Sequence, residues 1–202
     1  VNIYTLLGAG ENIFSSRENL YVSLSDSNPV EPRPQHTLPD VALTAPLRPE
    51  YNIFTQIYKF SLNSGQVSFD AKGEVPGTLL NQFSMDEYKG YFRIATTTGF
   101  LWRNDDYISK NNLYVLDEDL KITGCLEGIA PGEQIYSVRF MGDTGYMVTF
   151  KTVDPLFAID LKDPHKPAIL GALKIPGYSD YIHPYDNNHI LGFGKDTIEI
   201  EQ

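Results

Sequence analysis

The sequence of 202 residues predicts an all-β fold, a β-propeller of about four blades with mostly four antiparallel strands in each blade. Three observations favour this architecture. A turn motif recurs along the chain, short apolar runs bounded by Gly, Pro, Asn and Asp follow each copy, and no window offers an amphipathic helix of useful length. Repetition at this scale is typical of propellers and solenoids. One β-architecture is therefore expected over residues 1–202.

The turn motif is clearest where residues 9–15, Ala-Gly-Glu-Asn-Ile-Phe-Ser, align with residues 131–137, Pro-Gly-Glu-Gln-Ile-Tyr-Ser. Two further Pro-Gly pairs occupy the same position in the repeat. The glycines that mark the start of each blade are therefore Gly10, Gly77, Gly132 and Gly177. The separations from 10 to 77, from 77 to 132 and from 132 to 177 are 67, 55 and 45 residues. A period near 45 fits one four-stranded blade. The two longer intervals therefore predict loop insertions, placed at residues 28–49 and 99–110.

Each unit is expected to contain an inner, a second, a third and an outer strand, because its apolar runs are short and rich in β-branched and aromatic residues. The predicted inner strands are 12–16, 82–86, 135–140 and 181–184; the second strands are 20–24, 91–96, 146–150 and 190–193; the third strands are 56–62, 113–117 and 156–161; and the outer strands are 67–74, 121–127 and 169–175.

The two ends of the chain do not match whole blades. Residues 3–6 already read as an outer strand, and the sequence stops soon after a second strand. We interpret the chain as a segment of a larger propeller, completed by the remaining blades of its parent protein or by a second copy. Alternatively, residues 3–6 and a third strand at 197–201 complete one blade and close a four-bladed ring.

The composition excludes some classes of partner. The formal net charge is −10 and the pI is about 4.8, and no basic stripe is present, so we expect no nucleic-acid binding. No apolar run is long enough for membrane insertion. The anionic surface of a membrane would also repel this negatively charged chain. Cys125 is the only cysteine, which rules out an intramolecular disulfide; we expect it to be a small buried residue.

The candidate binding residues lie in the two insertions, because loops on a rigid scaffold are where recognition groups are usually found. The second insertion contains the only tryptophan beside carboxylates and an arginine, a combination that can stack on a sugar or anchor a peptide. The alternative for the tryptophan is that it pins its loop onto the blade. In the first, Pro-rich insertion we select a histidine and an arginine, although a variable solvent loop is the simpler interpretation. The candidates are Trp102, Arg103, Asp105, Asp106, Tyr107, His36 and Arg48.

Catalytic signatures are weak in this sequence. There is no Gly-rich phosphate loop, nucleophile elbow or metal-ligand pair at helical spacing. The segment from His183 to His189 resembles a zinc-ligand cluster but aligns with polar turns elsewhere, so no metal site and no cofactor are expected. Asp105 and Asp106 match no calcium loop, yet Ca²⁺ as a structural ion that stiffens the turns stays open as a third alternative.

Several segments resemble secreted bacterial and archaeal proteins with a C-terminal β-propeller domain distantly related to WD repeats. The resemblance covers nearly the whole chain and is strongest at Ile135-Tyr136-Ser137-Val138-Arg139-Phe140-Met141-Gly142-Asp143; residues 80–88, 112–117, 153–161, 175–186 and 192–196 also match. The resemblance implies an exported protein and a propeller larger than this segment. It implies no activity.

We therefore expect a non-catalytic binding or scaffold module, extracellular or attached to the cell envelope. Its partner would be a protein, a peptide or a polysaccharide, bound on the face that carries the insertions. The alternative is an extracellular hydrolase or lyase, which would need carboxylates to converge at the mouth of the central channel. The candidates for that convergence are Glu11, Asp86, Glu133 and Asp180.

Overall fold

The computed structural model describes residues 10–29, 51–150, 154–175, 178–186 and 189–195. Its elements are fourteen strands and one short 3-10 helix, so the all-β expectation is confirmed for this part of the chain. The strands are β1 (Asn12–Ser15), β2 (Asn19–Pro29), β3 (Tyr51–Asn63), β4 (Gln66–Pro76), β5 (Met85–Tyr88), β6 (Tyr91–Thr98), β7 (Lys110–Leu116), β8 (Ile122–Ile129), β9 (Gln134–Met141), β10 (Thr144–Phe150), β11 (Asp154–Asp160), β12 (Ala168–Ile175), β13 (Tyr178–Pro184) and β14 (Ile190–Lys195).

The strands form four antiparallel meanders in chain order. Sheet 1 contains β1 to β4, sheet 2 contains β5 to β8 and sheet 3 contains β9 to β12, while sheet 4 contains β13 and β14 within the described residues. All pairs are neighbours in sequence, as tight hairpins require. This arrangement confirms a β-propeller of about four blades.

Strands β2 and β3 are longer than the sequence indicates. They stay paired from Asn19 opposite Ser61 up to Pro29 opposite Tyr51. The strand predicted at 20–24 ends earlier than β2, in which Asp26, Ser27 and Asn28 continue the ladder, and Gln56 Nε2 donates to Asp26 Oδ2 across it (3.0 Å). The first insertion thus begins at the end of a two-stranded ribbon, the β2–β3 ribbon, which is formed by residues 25–29 of β2 and 51–55 of β3. The residues between the two strands lie outside the described ranges.

Apolar packing between successive sheets forms the core. One cluster joins sheets 1 and 2 through Tyr21, Ile57, Phe92 and Tyr114, and the rings of Tyr21 and Phe92 stack with centroids 4.2 Å apart. A second cluster joins sheets 2 and 3, with Met147 at its buried centre. Face-to-face packing of consecutive sheets is the defining contact of a propeller.

Polar contacts hold the sheets in register. The Tyr21 hydroxyl of sheet 1 donates to Glu87 Oε2 of sheet 2 (2.9 Å), and burial of this hydroxyl, with the neighbouring Glu87, raises the pKa of Tyr21. The Lys59 ammonium pairs with Asp70 (2.8 Å) and donates to the Glu118 carbonyl of the β7–β8 turn (3.0 Å). Ser137 Oγ of sheet 3 donates to the Ser179 carbonyl of sheet 4 (2.8 Å).

The structure corrects two expectations. Residues 82–84 form a 3-10 helix instead of the start of an inner strand, because Asn81 caps it by accepting a hydrogen bond from the Phe83 amide (3.0 Å). Cys125 is exposed, not buried. Strand alternation explains this, since the adjacent Gly124 takes the inward position against the β11–β12 turn of sheet 3.

The expected strands at 3–6 and 197–201, and the fourth marker Gly177, lie outside the described residues. Ring closure by those segments therefore stays a prediction. No helix in the described part of the chain is long and apolar enough to cross a membrane.

Candidate functional site

The β6–β7 connection, residues 99–109, is folded back on itself. The Phe100 amide donates to the Tyr107 carbonyl (2.9 Å), and the Ser109 amide donates to the Phe100 carbonyl (3.1 Å). Within the loop, the Ile108 amide donates to the Asp105 carbonyl (3.0 Å). These backbone hydrogen bonds join the two ends of the loop, residues 100 and 107–109, and the tip, residues 101–106, projects from them. Five of the predicted binding residues lie in this loop.

Asp105 organises the tip. Its carboxylate accepts hydrogen bonds from Arg103 Nε (2.9 Å) and from the Tyr107 amide (3.1 Å), and it also pairs with Arg103 Nη2. The hydrogen bond from the Arg103 guanidinium, followed by that from the Tyr107 amide, lowers the pKa of Asp105. The guanidinium carbon of Arg103 also lies 5.0 Å from the centre of the Tyr107 ring. Arg103 and Asp105 thus position the loop by bonding to each other.

Trp102 is presented to solvent by this loop. Its side chain is 78% exposed, and its φ of 69° lies in the left-handed region that bulky residues rarely adopt. A non-glycine residue in this conformation is held there by its surroundings and is often found at functional sites. The exposed ring is accessible to a partner. The alternative that Trp102 pins its loop onto the blade stays a prediction.

A cleft of about 690 Å³ runs between sheets 1 and 2 beside the loop. The loop contributes Asp106 and Tyr107 to its wall, and the β2–β3 ribbon contributes the start of β3. Most of its surface is apolar, with three charged side chains at the margin. The lining includes Ile53, Phe54, Val75, Pro76, Phe100, Asp106, Tyr107, Ile108, Glu74, Lys110 and Ile122.

Sequence reasoning missed the part of the cleft that lies outside the loop. Phe54 lies near the start of β3 and Val75 near the end of β4, and both fall just outside the strands predicted at 56–62 and 67–74. Only the packing of sheet 1 against the β6–β7 loop brings them beside Tyr107. No local signal marks such residues, because the cleft is formed by segments that are separate in the sequence, from Asn52 to Ile122.

The remaining candidates are dispersed or lie elsewhere. His36 and Arg48 fall outside the described residues. His189 Nδ1 lies 2.8 Å from Asp186 Oδ1 within the β13–β14 turn, and His183 Nδ1 lies 3.1 Å from the Tyr181 hydroxyl. In the described ranges, no three His, Cys, Asp or Glu side chains are grouped so as to hold a metal ion.

The carboxylates of the enzymatic alternative bond to separate partners. Glu11 Oε2 accepts from Ser25 Oγ (2.6 Å), Asp86 pairs with Arg93, and Glu133 accepts from Thr149 Oγ1. Each of these partners belongs to the same sheet as its carboxylate or directly adjoins it. Each of these three acids thus has a hydrogen-bond partner of its own, and a convergence of carboxylates at the channel mouth stays a prediction.

The Asp105 contacts predict a pH dependence of the loop. A lowered folded-state pKa means that the stabilisation is present above the ordinary value of 3.8 and is lost as the pH falls through the lowered value. We expect Trp102 fluorescence to be constant from neutral pH to about pH 5 and to change with a midpoint below 3.8. Asp105→Asn should abolish this transition.

The matched control for this prediction is Asp106→Asn, which removes the neighbouring carboxylate and should keep the transition. Far-UV circular dichroism recorded on the same samples separates loop rearrangement from global acid unfolding. A midpoint at or above 3.8, or an unchanged transition in Asp105→Asn, would contradict the assigned role of Asp105.

Comparison with known proteins agrees with this architecture. The family model described as "Beta propeller domain" matches residues 1–202. An uncharacterized protein of Methanocaldococcus jannaschii is 54% identical over 143 residues, which cover 71% of this chain and 22% of that protein. An uncharacterized protein of Archaeoglobus fulgidus is 48% identical over 142 residues, covering 70% of this chain and 21% of the relative. The aligned part spans about a fifth of the length of these curated relatives.

Proposed function

Because the chain belongs to the beta propeller domain family, we propose that it is a non-catalytic binding module whose cleft between sheets 1 and 2 holds a peptide segment of a partner protein. A propeller in general supports a binding or scaffold role, since rigid sheets present loops at their ends. The finer assignment depends on one observation. The strained, exposed Trp102 belongs to the same loop that supplies Phe100, Asp106 and Tyr107 to the wall of a largely apolar cleft.

The lining of the cleft favours a peptide over a polysaccharide. Sugar rings need many hydrogen-bonding groups at their edges, whereas apolar side chains are accommodated by aromatic and aliphatic walls. The cleft offers Phe54, Phe100 and Tyr107 as such walls, and Asp106 and Lys110 can orient a polar backbone or a charged side chain at its margin. Exposed tryptophans frequently contribute most of the energy at protein interfaces.

The location that we propose for the module is extracellular or on the cell envelope. It is supported by the resemblance to secreted propeller proteins, and the acidic surface is compatible with an aqueous exterior. The part of the relatives outside the aligned segment is about four-fifths of their length. In a protein of that size, this part, including further blades, would then present or anchor the module.

The test is selection of 12-residue peptides from a random phage-displayed library on the purified domain, with a glycan array in parallel. Selected peptides should shift the emission of Trp102, which is the only tryptophan. Trp102→Ala should weaken their binding at least about tenfold, as expected for an interface hot spot.

Tyr185→Ala is the matched control for this test. Tyr185 is 71% exposed in the β13–β14 turn, at the opposite end of the sheets from the β6–β7 loop. The Tyr185→Ala variant should bind the selected peptides as tightly as the unsubstituted domain does. Glycan binding without peptide binding, or equal losses in the two variants, would contradict the proposal.

A further inference from the structure

A second feature lies on the innermost elements, away from the cleft. Arg139 on β9 has its guanidinium carbon 3.9 Å from the centre of the Phe83 ring and 5.0 Å from the centre of the Tyr181 ring. Phe83 belongs to the 3-10 helix of sheet 2 and Tyr181 to β13 of sheet 4. Elements of three consecutive sheets therefore contact one cationic side chain.

The hydrogen bonds of Arg139 leave most of its donors available. Arg139 Nε donates to the Ile182 carbonyl (2.9 Å). A guanidinium has five N–H donors. Within the described residues, the four N–H groups on the two Nη atoms have no hydrogen-bond partner, and no carboxylate forms an ion pair with the guanidinium. By contrast, Arg93 and Arg103 are each paired with an aspartate.

Arg139 also lines a cavity of about 350 Å³. The other walls are mainly apolar and come from Ile13, Phe14, Phe83 and Phe140. Ile13 is 59% exposed and Phe83 is 37% exposed, so the cavity opens to solvent. One carboxylate, Asp86, is also part of the lining, but its charge is compensated by the pair with Arg93.

We propose that this cavity binds a single peptide carboxylate flanked by an apolar side chain, with Arg139 as the binding residue. The contacts with these two rings, which themselves meet edge to face, and the hydrogen bond from Nε restrict the guanidinium. This restriction prepares its Nη edge for two parallel hydrogen bonds to a carboxylate. The apolar walls accommodate the flanking side chain. This site goes beyond the proposed function, because it shares no residue with the cleft.

The charge of the surroundings favours a monoanion. One guanidinium balances one carboxylate, whereas a phosphate dianion would meet an uncompensated charge near Asp86 in a protein of net charge −10. A uronic acid carries the right group but also ring hydroxyls, for which the lining supplies only Ser15 and Gln82 as polar side chains beside Asp86 and Arg139. A peptide carboxylate is the better match to these walls.

The experiment is calorimetric titration of the domain with three short peptides. Acetyl-Gly-Leu-Leu carries a free terminal carboxylate, its C-terminal amide carries none, and acetyl-Gly-Glu-Leu-amide carries one on a side chain. We expect at least one carboxylate peptide to bind about tenfold or more tightly than the neutral amide, in line with a charge-assisted hydrogen-bonded pair. The tighter of the two identifies the source of the carboxylate.

Variants separate this site from the cleft and from simple loss of charge. Arg139→Gln should erase the preference for a carboxylate, and Arg139→Lys should reduce it, since an ammonium keeps the charge but not the planar edge. Arg17→Gln, at an exposed arginine of the β1–β2 turn, and Trp102→Ala should both keep the preference. A loss of the preference in Trp102→Ala but not in Arg139→Gln would place carboxylate binding in the cleft and overturn the proposal.

If Arg139→Gln does not fold, Phe83→Leu removes one stacking ring while keeping the arginine, and the carboxylate preference should fall. Equal binding of acid and amide peptides, no binding up to their solubility limits, or an undiminished preference in Arg139→Gln or Phe83→Leu would overturn the proposal. Glucuronate or inorganic phosphate binding as tightly as the best peptide would overturn the assignment to a peptide carboxylate.

Discussion

Arg93→Met is expected to lower the free energy of unfolding by about 3 kcal/mol, because it removes one partner of a buried ion pair. The Arg93 side chain is 4% exposed and that of Asp86 is 25% exposed. Arg93 Nε donates to Asp86 Oδ2 (2.9 Å), and the guanidinium also donates to the Gly142 carbonyl of sheet 3. Methionine retains much of the packing but leaves both acceptors without this donor.

The rings around Arg93 add to its effect. The guanidinium carbon lies 4.9 Å from the centre of the Tyr88 ring in sheet 2 and 5.0 Å from that of Phe140 in sheet 3. Cation–π contacts of this kind contribute about 2 kcal/mol when they are desolvated. Arg93 therefore joins two sheets through charge, hydrogen bonds and stacking. The loss should appear in urea unfolding followed by circular dichroism.

Lys89→Met is the matched control for Arg93→Met. The Lys89–Asp143 pair (2.9 Å) bridges the same two hairpins, but Lys89 is 61% exposed, so its loss should destabilise the protein far less than the loss of Arg93. Arg93→Met combined with Asp86→Leu should be more stable than Arg93→Met alone, since no buried charge is left without a partner. Equal costs for Arg93→Met and Lys89→Met would refute this role of Arg93.

Gly124→Ala is expected to destabilise the protein by about 3 kcal/mol, at the upper end of typical overpacking costs. A Cβ at Gly124 on β8 would lie 2.3 Å from the Pro164 carbonyl oxygen and 2.9 Å from the carbonyl carbon of His165. Both atoms belong to backbone of the β11–β12 turn, which cannot rotate away as a side chain would. Sheets 2 and 3 would have to separate.

Gly171→Ala tests the same change without the neighbour. Gly171 is the corresponding residue of sheet 3: it pairs with Ala158 on β11 as Gly124 pairs with Val115 on β7. A Cβ at Gly171 meets no atom of the described structure within 4 Å. Alanine there should be neutral or stabilising by about 0.5 kcal/mol, because glycine is unfavourable in a strand. Similar melting temperatures for the two variants would contradict the close approach at Gly124.

The sequence by itself was sufficient for the fold class and for the order of the strands. Turn residues such as Asn63-Ser64-Gly65 and the alternation of side chains in a strand such as β10 are local properties, so they can be read from neighbouring residues. Local patterns misled at two places. The Asp26-Ser27-Asn28 segment continues a strand, and residues 82–84 form a capped 3-10 helix.

The binding features were decided by the tertiary structure. The sequence singled out Trp102 and its charged neighbours, because an isolated tryptophan in a polar loop is visible locally. It did not show that Phe54 and Val75 complete the cleft, or that Phe83, Arg139 and Tyr181 meet. Those residues come from different sheets, and their separation in space depends on how the sheets pack. The same reason explains why Gly124, an unremarkable strand glycine in the sequence, controls the contact between sheets 2 and 3.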